Sequence, residues 1–313
     1  MKRLSLLSSL LLTALLGAAC ASTPAAKPAS PVDTGHAFLW EVKDGRGRGG
    51  TAYLVGSIHM GKEGELPLPP SMEAAFAKSD ALVVEVDVNK VDPAAMQKLV
   101  MELGRLPDGQ RLSQRLDPVT LTLLDRAAQR LGLTVAHLEP LRPWLAGMVL
   151  SVTELQKAGY QQGHGVDRAF LTRARDAGKA VLELETAEGQ LRMLAGTPDA
   201  LQDLMLRDQL RRAPEAGAVL DQLISAWKAG DADGLAALLL EGANDATYRP
   251  VYERIFFERN VQMATRVEAL LAQPRTHFVV VGAGHVVGPQ GLVALLQKQG
   301  HTVRQLPRTG LTE

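Results

Sequence analysis

The sequence predicts an α/β (α+β) domain in which strands from both ends of the chain build a central mixed β-sheet around a large helical insertion. Short apolar and β-branched runs lie before residue 90 and after residue 275, and such runs are typical of strands. Between them, helix-capping signals and helical spacing of apolar residues prevail. Strands that are distant in the sequence are therefore expected to share one sheet.

Six segments have the composition of strands. Residues 37–42 and 51–55 flank a glycine-rich turn and are expected to pair as a hairpin. Residues 81–86, ALVVEV, are mostly apolar, as in a strand that is buried on both faces. The other predicted strands cover residues 179–184, 276–281 and 302–306.

Helix starts are predicted from capping signals. The Asp-Pro pairs at 92–93 and 117–118 each place an N-cap residue before a proline at the first helical position. Ser71 and Asp167 are also expected to be N-caps. The remaining helical patterns cover residues 71–78, 143–157, 167–178, 198–271 and 290–299.

The first residues predict an exported protein. Lys2 and Arg3 precede an apolar run that ends in small residues before Cys20, which is the order of a signal peptide over residues 1–19. Small residues up to a cysteine also suit lipoprotein processing, so Cys20 is expected to carry a lipid that anchors the protein in the cell envelope. Ordinary cleavage after Ala19 or Ala21, which would leave a secreted protein, is the alternative.

Composition sets the domain limits and excludes some classes of function. Residues 20–36 are rich in Ala, Ser and Pro and predict a linker, followed by a domain over 37–308 and a tail over 309–313. Cys20 is the only cysteine, so neither an intramolecular disulfide nor a catalytic thiolate is expected. The 34 basic and 34 acidic residues give a formal charge of zero, which offers no electrostatic reason to expect nucleic acid.

Two segments share one pattern, an apolar strand followed by Gly-x-x-His. Residues 53–59 read YLVGSIH and residues 279–285 read VVVGAGH. The glycine is expected to permit a sharp exit from the sheet, which places each histidine just beyond the carboxyl end of its strand. Ligands bind at that edge of open α/β sheets. His59 and His285 are therefore predicted to converge if their strands are neighbours with a common direction.

Carboxylates follow two other predicted strands. Glu85 lies inside its apolar run with Asp87 shortly after it, and Glu183 and Glu185 lie at the end of the strand over 179–184. Glu85 needs a partner, because an unpaired buried carboxylate is costly. For Asp87 and Glu183, a solvated strand end is the preferred interpretation, although both are candidates for the same site.

Two imidazoles and a carboxylate form a common ligand set for divalent Zn, Mn, Co or Fe. The sequence therefore predicts a metal-dependent hydrolytic site in which His59 and His285 hold the ion together with one of these carboxylates. A metal with an open position can lower the pKa of a bound water to about 7, and a second carboxylate can then act as base. Asp167 is a secondary candidate, after its predicted role as an N-cap.

Arg259 lies inside the apolar stripe of the predicted helix over 252–270 rather than opposite it. A guanidinium on that face needs an acid or a substrate oxygen. Arg259 is therefore predicted either to pair with Glu85 or to stabilise an oxyanion. The alternative is a snorkelling arginine, which buries its stem and keeps its charge in solvent.

In these motifs the chain resembles the TraB/GumN family, to which animal Tiki proteases and, more distantly, erythromycin esterase-like and ChaN-like proteins are related. The resemblance extends from about residue 38 to about residue 306. It rests, in order, on Trp40, GSIH at 56–59, Glu85 in VVEVD, Gly165-Val166-Asp167, Gly178-Lys179 before LELET, Gln190-Leu191, Glu258-Arg259-Asn260 and GAGH at 282–285.

The resemblance implies a mixed-sheet domain with a helical insertion and a metal-dependent hydrolase site made by His59, Glu85, Arg259 and His285. In that site His59 and His285 hold the ion, Glu85 is a third ligand or the base, and Arg259 steadies an anionic group. In the Tiki branch the implied activity is proteolysis of secreted proteins with manganese or cobalt. The substrate is accordingly expected to be a peptide, or else a small molecule. The alternative is a non-catalytic cell-envelope lipoprotein that binds a peptide, a metal or a protein partner through the same cleft.

Glycine patterns also invite a nucleotide-binding interpretation. Residues 45–50 match G-x-G-x-x-G but lead into a strand, so the required context is missing. Residues 282–288 lie between a strand and a helix, but the next strand carries Arg304 and lacks the acidic residue that the fingerprint requires. A dinucleotide site is therefore not expected.

Overall fold

The structure is a computed structural model that describes residues 31–65 and 67–311. The predicted signal peptide and Cys20 lie outside the described residues. The described chain forms two compact units. A helical unit comprises Val88–Tyr160 and Thr186–Val219, and a sheet unit comprises residues 31–87, Gln161–Glu185 and residues 220–311.

The sheet unit is built on a six-stranded mixed sheet. Its strands are β1 (His36–Lys43), β2 (Thr51–Ser57), β3 (Ala81–Val84), β4 (Ala180–Glu183), β5 (Thr276–Gly282) and β6 (Thr302–Pro307), in the spatial order β4-β3-β5-β2-β1-β6. The four neighbours β4, β3, β5 and β2 are mutually parallel, whereas β1 is antiparallel to both β2 and β6. The predicted α/β class is thus confirmed, and so is the hairpin between the first two strands.

Helices fill most of the rest of the described chain. They are α1 (Pro70–Lys78), α2 (Pro93–Gly104), α3 (Pro118–Leu131), α4 (Val135–Leu138), α5 (Pro143–Lys157), α6 (Val166–Asp176), α7 (Ala187–Ala195), α8 (Asp199–Arg212), α9 (Ala216–Ala229), α10 (Ala232–Leu239), α11 (Arg249–Tyr252), α12 (Glu258–Leu271), α13 (Ala283–Val286) and α14 (Leu292–Lys298). A π-helical turn, Glu253–Phe257, joins α11 to α12. Within the described ranges, no helix is both long enough and apolar enough to cross a membrane.

The capping predictions are confirmed in two places and wrong in two others. The carboxylates of Asp92 and Asp117 accept hydrogen bonds from the backbone N–H groups two residues further on, at the starts of α2 and α3. Ser71 instead lies inside α1, which begins at a proline. Helix α6 has Gly165 as its N-cap and places Asp167 in its first turn. The Asp167 side chain is therefore available for contacts other than capping.

The helical unit has an apolar core of its own, to which α3, α5 and α8 all contribute. Leu124, Leu131, Leu150, Leu206 and Leu210 are among its buried members. These residues recur at helical spacing on the three helices, which explains why the amphipathic segments pack as a bundle.

Aromatic rings fix helices α1 and α6 against the sheet. The rings of Phe76, Phe170 and Phe278, from α1, α6 and β5, lie with centroids 4.5–5.4 Å apart. Separately, Trp227 of α9 donates its indole N–H to the Gly56 carbonyl at 2.6 Å. Both contacts hold helices at or near the strands that lead into the Gly-x-x-His segments.

Close packing explains two glycines of these segments, Gly56 of the first Gly-x-x-His motif and Gly284, which lies inside the second. Neither has a positive φ, so a left-handed backbone conformation does not explain them. A Cβ on Gly56 would come within 2.5 Å of the Phe38 ring and 3.1 Å of the Ala283 Cα. A Cβ on Gly284 would come within 2.6 Å of the Phe256 ring. Close packing therefore requires glycine at both positions.

Gly56→Ala is expected to destabilise the fold by about 1–3 kcal/mol, because an overpacked core must shift to accept the methyl group. Gly163→Ala is the matched control, since a Cβ there meets no atom within 4 Å and the backbone φ is ordinary. Chemical denaturation of both variants measures the free energies of unfolding. Equal stability of the two variants would contradict the packing explanation.

Candidate functional site

Four of the predicted site residues follow the carboxyl ends of the four parallel strands in the sheet unit. His59 follows β2, Glu85 follows β3, Glu185 follows β4 and His285 follows β5. Because these strands are adjacent and run in one direction, their carboxyl ends meet at one edge of the sheet. The convergence that the sequence predicted is present in the structure.

His59 is held by a carboxylate that reaches it from α6. Its Nδ1 lies 3.2 Å from Asp167 Oδ1, and the same oxygen accepts a hydrogen bond from the Ser57 hydroxyl at 2.9 Å. The Ser57 hydroxyl in turn accepts the backbone N–H of Asp167 at 3.1 Å. Gly165 permits this approach, because a Cβ there would lie 2.5 Å from the His59 carbonyl oxygen.

The carboxylate also changes the protonation of His59. Burial alone would lower the pKa of His59, but the charge and hydrogen bond of Asp167, together with the charge of Glu85, raise it above the ordinary value despite nearby Arg259. Nδ1–H therefore donates to Asp167, and Nε2 is the ring nitrogen at which His59 gains or loses a proton.

His285 is fully buried and is held by an amide rather than a carboxylate. Its Nδ1 lies 2.6 Å from Asn260 Oδ1, and the ring packs at a tilt against Phe256 with a centroid distance of 5.3 Å. Burial, followed by the charges of Arg259 and His59, places the pKa of His285 well below the ordinary value. His285 is accordingly a neutral imidazole at physiological pH.

The two histidines share one feature that bears directly on metal binding. In both, Nδ1 has a hydrogen-bond acceptor, whereas Nε2 is buried and has no hydrogen-bond partner among the described residues. Metal-binding histidines typically have one ring nitrogen on an outer acceptor and the other on the ion. An unpartnered buried ring nitrogen is otherwise costly, so the histidine pair fits a divalent metal.

The complete ligand set that was predicted is not assembled. Within residues 31–65 and 67–311, no group of three or more His, Cys, Asp or Glu side chains is arranged to hold a metal. Both carboxylate oxygens of Glu85 have protein partners, since Oε1 accepts the backbone N–H of Gly282 at 2.5 Å and Oε2 accepts from Arg259 Nη2 at 3.0 Å. The structure thus offers two ligands, and the role of Glu85 as a third stays a prediction.

Arg259 is buried in an ion cluster and does not reach solvent, so the snorkelling alternative is wrong. Its Nε and Nη2 donate to the two carboxylate oxygens of Glu185 at 2.8 and 2.6 Å, and Nη2 also donates to Glu85. Nη1 donates to the Ile255 carbonyl in the π-helical turn at 2.9 Å. Four hydrogen bonds to protein atoms make Arg259 an organiser of the two carboxylates rather than a free oxyanion ligand.

The other candidate carboxylates lie at the same edge with different environments. Asp87 is buried, so its expected position as a solvated strand end is wrong. Its backbone N–H donates to Glu183 Oε1 at 2.7 Å, which ties the end of β3 to the end of β4. Glu183 is half-buried and therefore acts first as a structural acceptor.

Sequence reasoning missed two residues that touch the histidines or their partners, Ser57 and Asn260. Ser57 lies two residues before His59, at the end of β2. Asn260 follows Arg259 directly, in a motif that carried the family resemblance. Proximity to the predicted residues was the available signal. Neither contact can be deduced from spacing alone, because Ser57 meets α6 and Asn260 meets α13 only after long-range packing.

Arg259→Met is expected to lower the free energy of unfolding by about 3–5 kcal/mol, because it leaves Glu85 and Glu185 buried without their cation. The matched control is Arg175→Met, since Arg175 pairs with Asp176 on the exposed surface and exposed pairs contribute little. Urea denaturation at pH 7 compares the two variants. A loss for Arg259→Met no larger than for the control would contradict the assigned role.

The family whose model matches this chain is the TraB/PrgY/gumN family, over residues 38–305. The uncharacterized protein YbaP of Escherichia coli (strain K12) is 30% identical over 250 residues, which cover 78% of this chain and 87% of YbaP. YbaP of Shigella flexneri is 30% identical over 251 residues, covering 79% and 88%.

A more distant relative has a named activity. Metalloprotease TIKI2 of Danio rerio is 27% identical over an alignment of 334 positions. The alignment covers 90% of this chain but only 63% of that relative. No solved structure matches the chain. The family match includes every strand of the sheet except the first two residues of β1 and the last two of β6, and on that basis the chain belongs to the TraB/PrgY/gumN family.

Proposed function

We propose that the protein is a metal-dependent hydrolase that cleaves peptide bonds. The observation that carries this proposal is the pair of buried Nε2 atoms, on His59 and His285, that have no partner among the described residues. The relationship to proteins named metalloproteases supports the choice of reaction and of substrate class.

Charge also favours a cation at the site. The cluster contains three carboxylates, Glu85, Glu185 and Asp167, and one guanidinium, Arg259. Carboxylates grouped in this way attract a divalent cation, and buried charges are stabilised by a neighbouring opposite charge.

His59 and His285 would hold the ion through Nε2, and manganese, cobalt and zinc all suit imidazole with carboxylate ligands. Such an ion supplies Lewis acidity, which polarises a scissile carbonyl and makes water a better nucleophile near neutral pH. Glu85 would serve as third ligand or as general base, because it lies at the same strand edge with Arg259 holding its carboxylate in place.

The remaining residues of the site have supporting roles in this proposal. Asp167 keeps the proton of His59 on Nδ1, which would leave Nε2 available to hold a metal ion. Arg259 keeps Glu85 and Glu185 from repelling each other and fixes their positions at the ends of β3 and β4. Positions fixed before substrate binds reduce the reorganisation that catalysis requires.

Metal binding tests the proposal most directly. The purified protein, stripped with chelator, is titrated with Mn²⁺, Co²⁺ and Zn²⁺ by calorimetry, beside His59→Ala and His285→Ala. We expect one ion per chain and an affinity at least about 100-fold weaker in either variant, since each change removes a ligand. His137→Ala is the control, because His137 is exposed on α4 in the helical unit. Failure of the wild type to bind any of the three ions would refute the proposal.

A peptide library incubated with the metal-loaded protein then separates catalysis from binding. Cleavage that is lost in Glu85→Gln supports the hydrolase. Stoichiometric metal without cleavage of any peptide would instead favour a non-catalytic cell-envelope protein that binds a peptide or a partner.

We also propose that the protein is an exported lipoprotein of the cell envelope. The supporting observation is the order of basic, apolar and small residues before Cys20. Mass spectrometry of the mature N-terminus is expected to find Cys20 as the first residue with a lipid on its thiol. Cys20→Ser is expected to move the protein from the membrane fraction to the soluble fraction. An unmodified mature terminus would refute the anchor.

A further inference from the structure

We infer that Asn260 is a positioning residue that fixes the tautomer and the direction of the His285 ring, so that Nε2 carries a lone pair. His285 is the more buried histidine of the pair. Its functional meaning as a metal ligand rests on the proposed function, whereas the tautomer itself follows from a chain of hydrogen bonds within the sheet unit.

The first hydrogen bond of this series involves a backbone carbonyl. Asn260 Nδ2 donates to the Gln290 carbonyl oxygen at 2.7 Å. A carbonyl oxygen only accepts hydrogen bonds, so the nitrogen end of the Asn260 amide must face Gln290. The oxygen end of the same amide therefore faces His285.

The second link sets the proton on the imidazole. Asn260 Oδ1 lies 2.6 Å from His285 Nδ1, and an amide oxygen can only accept. Nδ1 must then carry the hydrogen, and a neutral imidazole has just one N–H. The lone pair is consequently on Nε2, the nitrogen that has no partner among the described residues.

The ring keeps its direction because packing leaves it little freedom. Phe256 lies against the imidazole, and the same phenyl ring is close enough to Gly284 to exclude a Cβ there. The amide gives the ring a polar anchor on one side, and the phenyl ring gives it an apolar wall on another.

Asparagine differs from the residue that holds the other histidine. Asp167 is a negatively charged acceptor for His59 Nδ1. Asn260 offers an uncharged oxygen in the same position on His285. Asn260 therefore selects the Nδ1–H tautomer through hydrogen-bond geometry, and a ligand histidine needs the lone pair that this tautomer leaves on Nε2.

The test uses ¹⁵N-histidine-labelled full protein in the metal-free state, with long-range ¹H–¹⁵N correlation spectra at neutral pH. The His285 signals are assigned by their absence in His285→Gln. We expect a protonated Nδ1 and an unprotonated Nε2 in the wild type. In Asn260→Leu the chemical shifts of the two nitrogens should move toward the opposite tautomer or a mixture. A wild type with Nε2–H overturns the inference whatever the variants do.

Phe256→Leu is the matched control, because it loosens the packing against His285 but keeps the acceptor. It should retain the Nδ1–H tautomer, and Asn260→Ser serves as a second variant if Asn260→Leu does not fold. An unchanged tautomer in a folded Asn260 variant also overturns the inference.

Metal titration separates this inference from the proposed function. If the protein binds metal, Asn260→Leu should weaken the affinity by about 10- to 100-fold, as for other outer partners of ligand histidines, and Phe256→Leu should weaken it less. A wild type that binds no metal but shows the expected tautomer would refute the hydrolase and leave the role of Asn260 standing. Metal binding by a wild type with an Nε2–H tautomer would support the metal site and refute the role of Asn260.

Discussion

The site depends on the common direction of four neighbouring strands. Since β4, β3, β5 and β2 are parallel and adjacent, the segments that follow them all start at the same edge of the sheet. That edge therefore receives His59 and His285, which are far apart in the sequence, and also the carboxylates that follow β3 and β4. The antiparallel pair β1 and β6 extends the sheet beyond β2 and contributes none of these side chains.

Burial of charge is the second constraint on this architecture. Arg259 holds Glu85 and Glu185 together at the ends of β3 and β4, and α12 is thereby fixed to the sheet by ionic contacts. The neighbouring histidines differ in the charge of their acceptors, Asp167 and Asn260. The charged acceptor raises the pKa of His59, whereas burial lowers the pKa of His285.

The strands and the hairpin could be predicted from the sequence, because apolar runs and turns are local signals. The convergence of the Gly-x-x-His segments could be predicted on the condition that their strands are parallel neighbours, which the structure shows. The pairing of Arg259 with Glu85 could also be anticipated from an unfavourable charge on an apolar stripe. The contacts of Asp167, Ser57 and Asn260 could not, because each depends on which helix packs against which strand end. Gly56 was predicted to permit a sharp exit from the sheet, whereas its close approach to Phe38 depends on long-range packing that a single sequence does not show.

The π-helical turn at Glu253–Phe257 has a consequence for how this helix tolerates change in length. Such a turn contains one residue more than a regular helix needs, and a single residue corresponds to about 100° of rotation around the axis. Because the wide turn takes up its extra residue locally, removing one residue there would restore regular winding and leave the Arg259–Asn260 face of α12 toward the sheet edge. An insertion or deletion in a regular helical segment has no such turn to absorb it, and it would rotate the residues that follow by that angle.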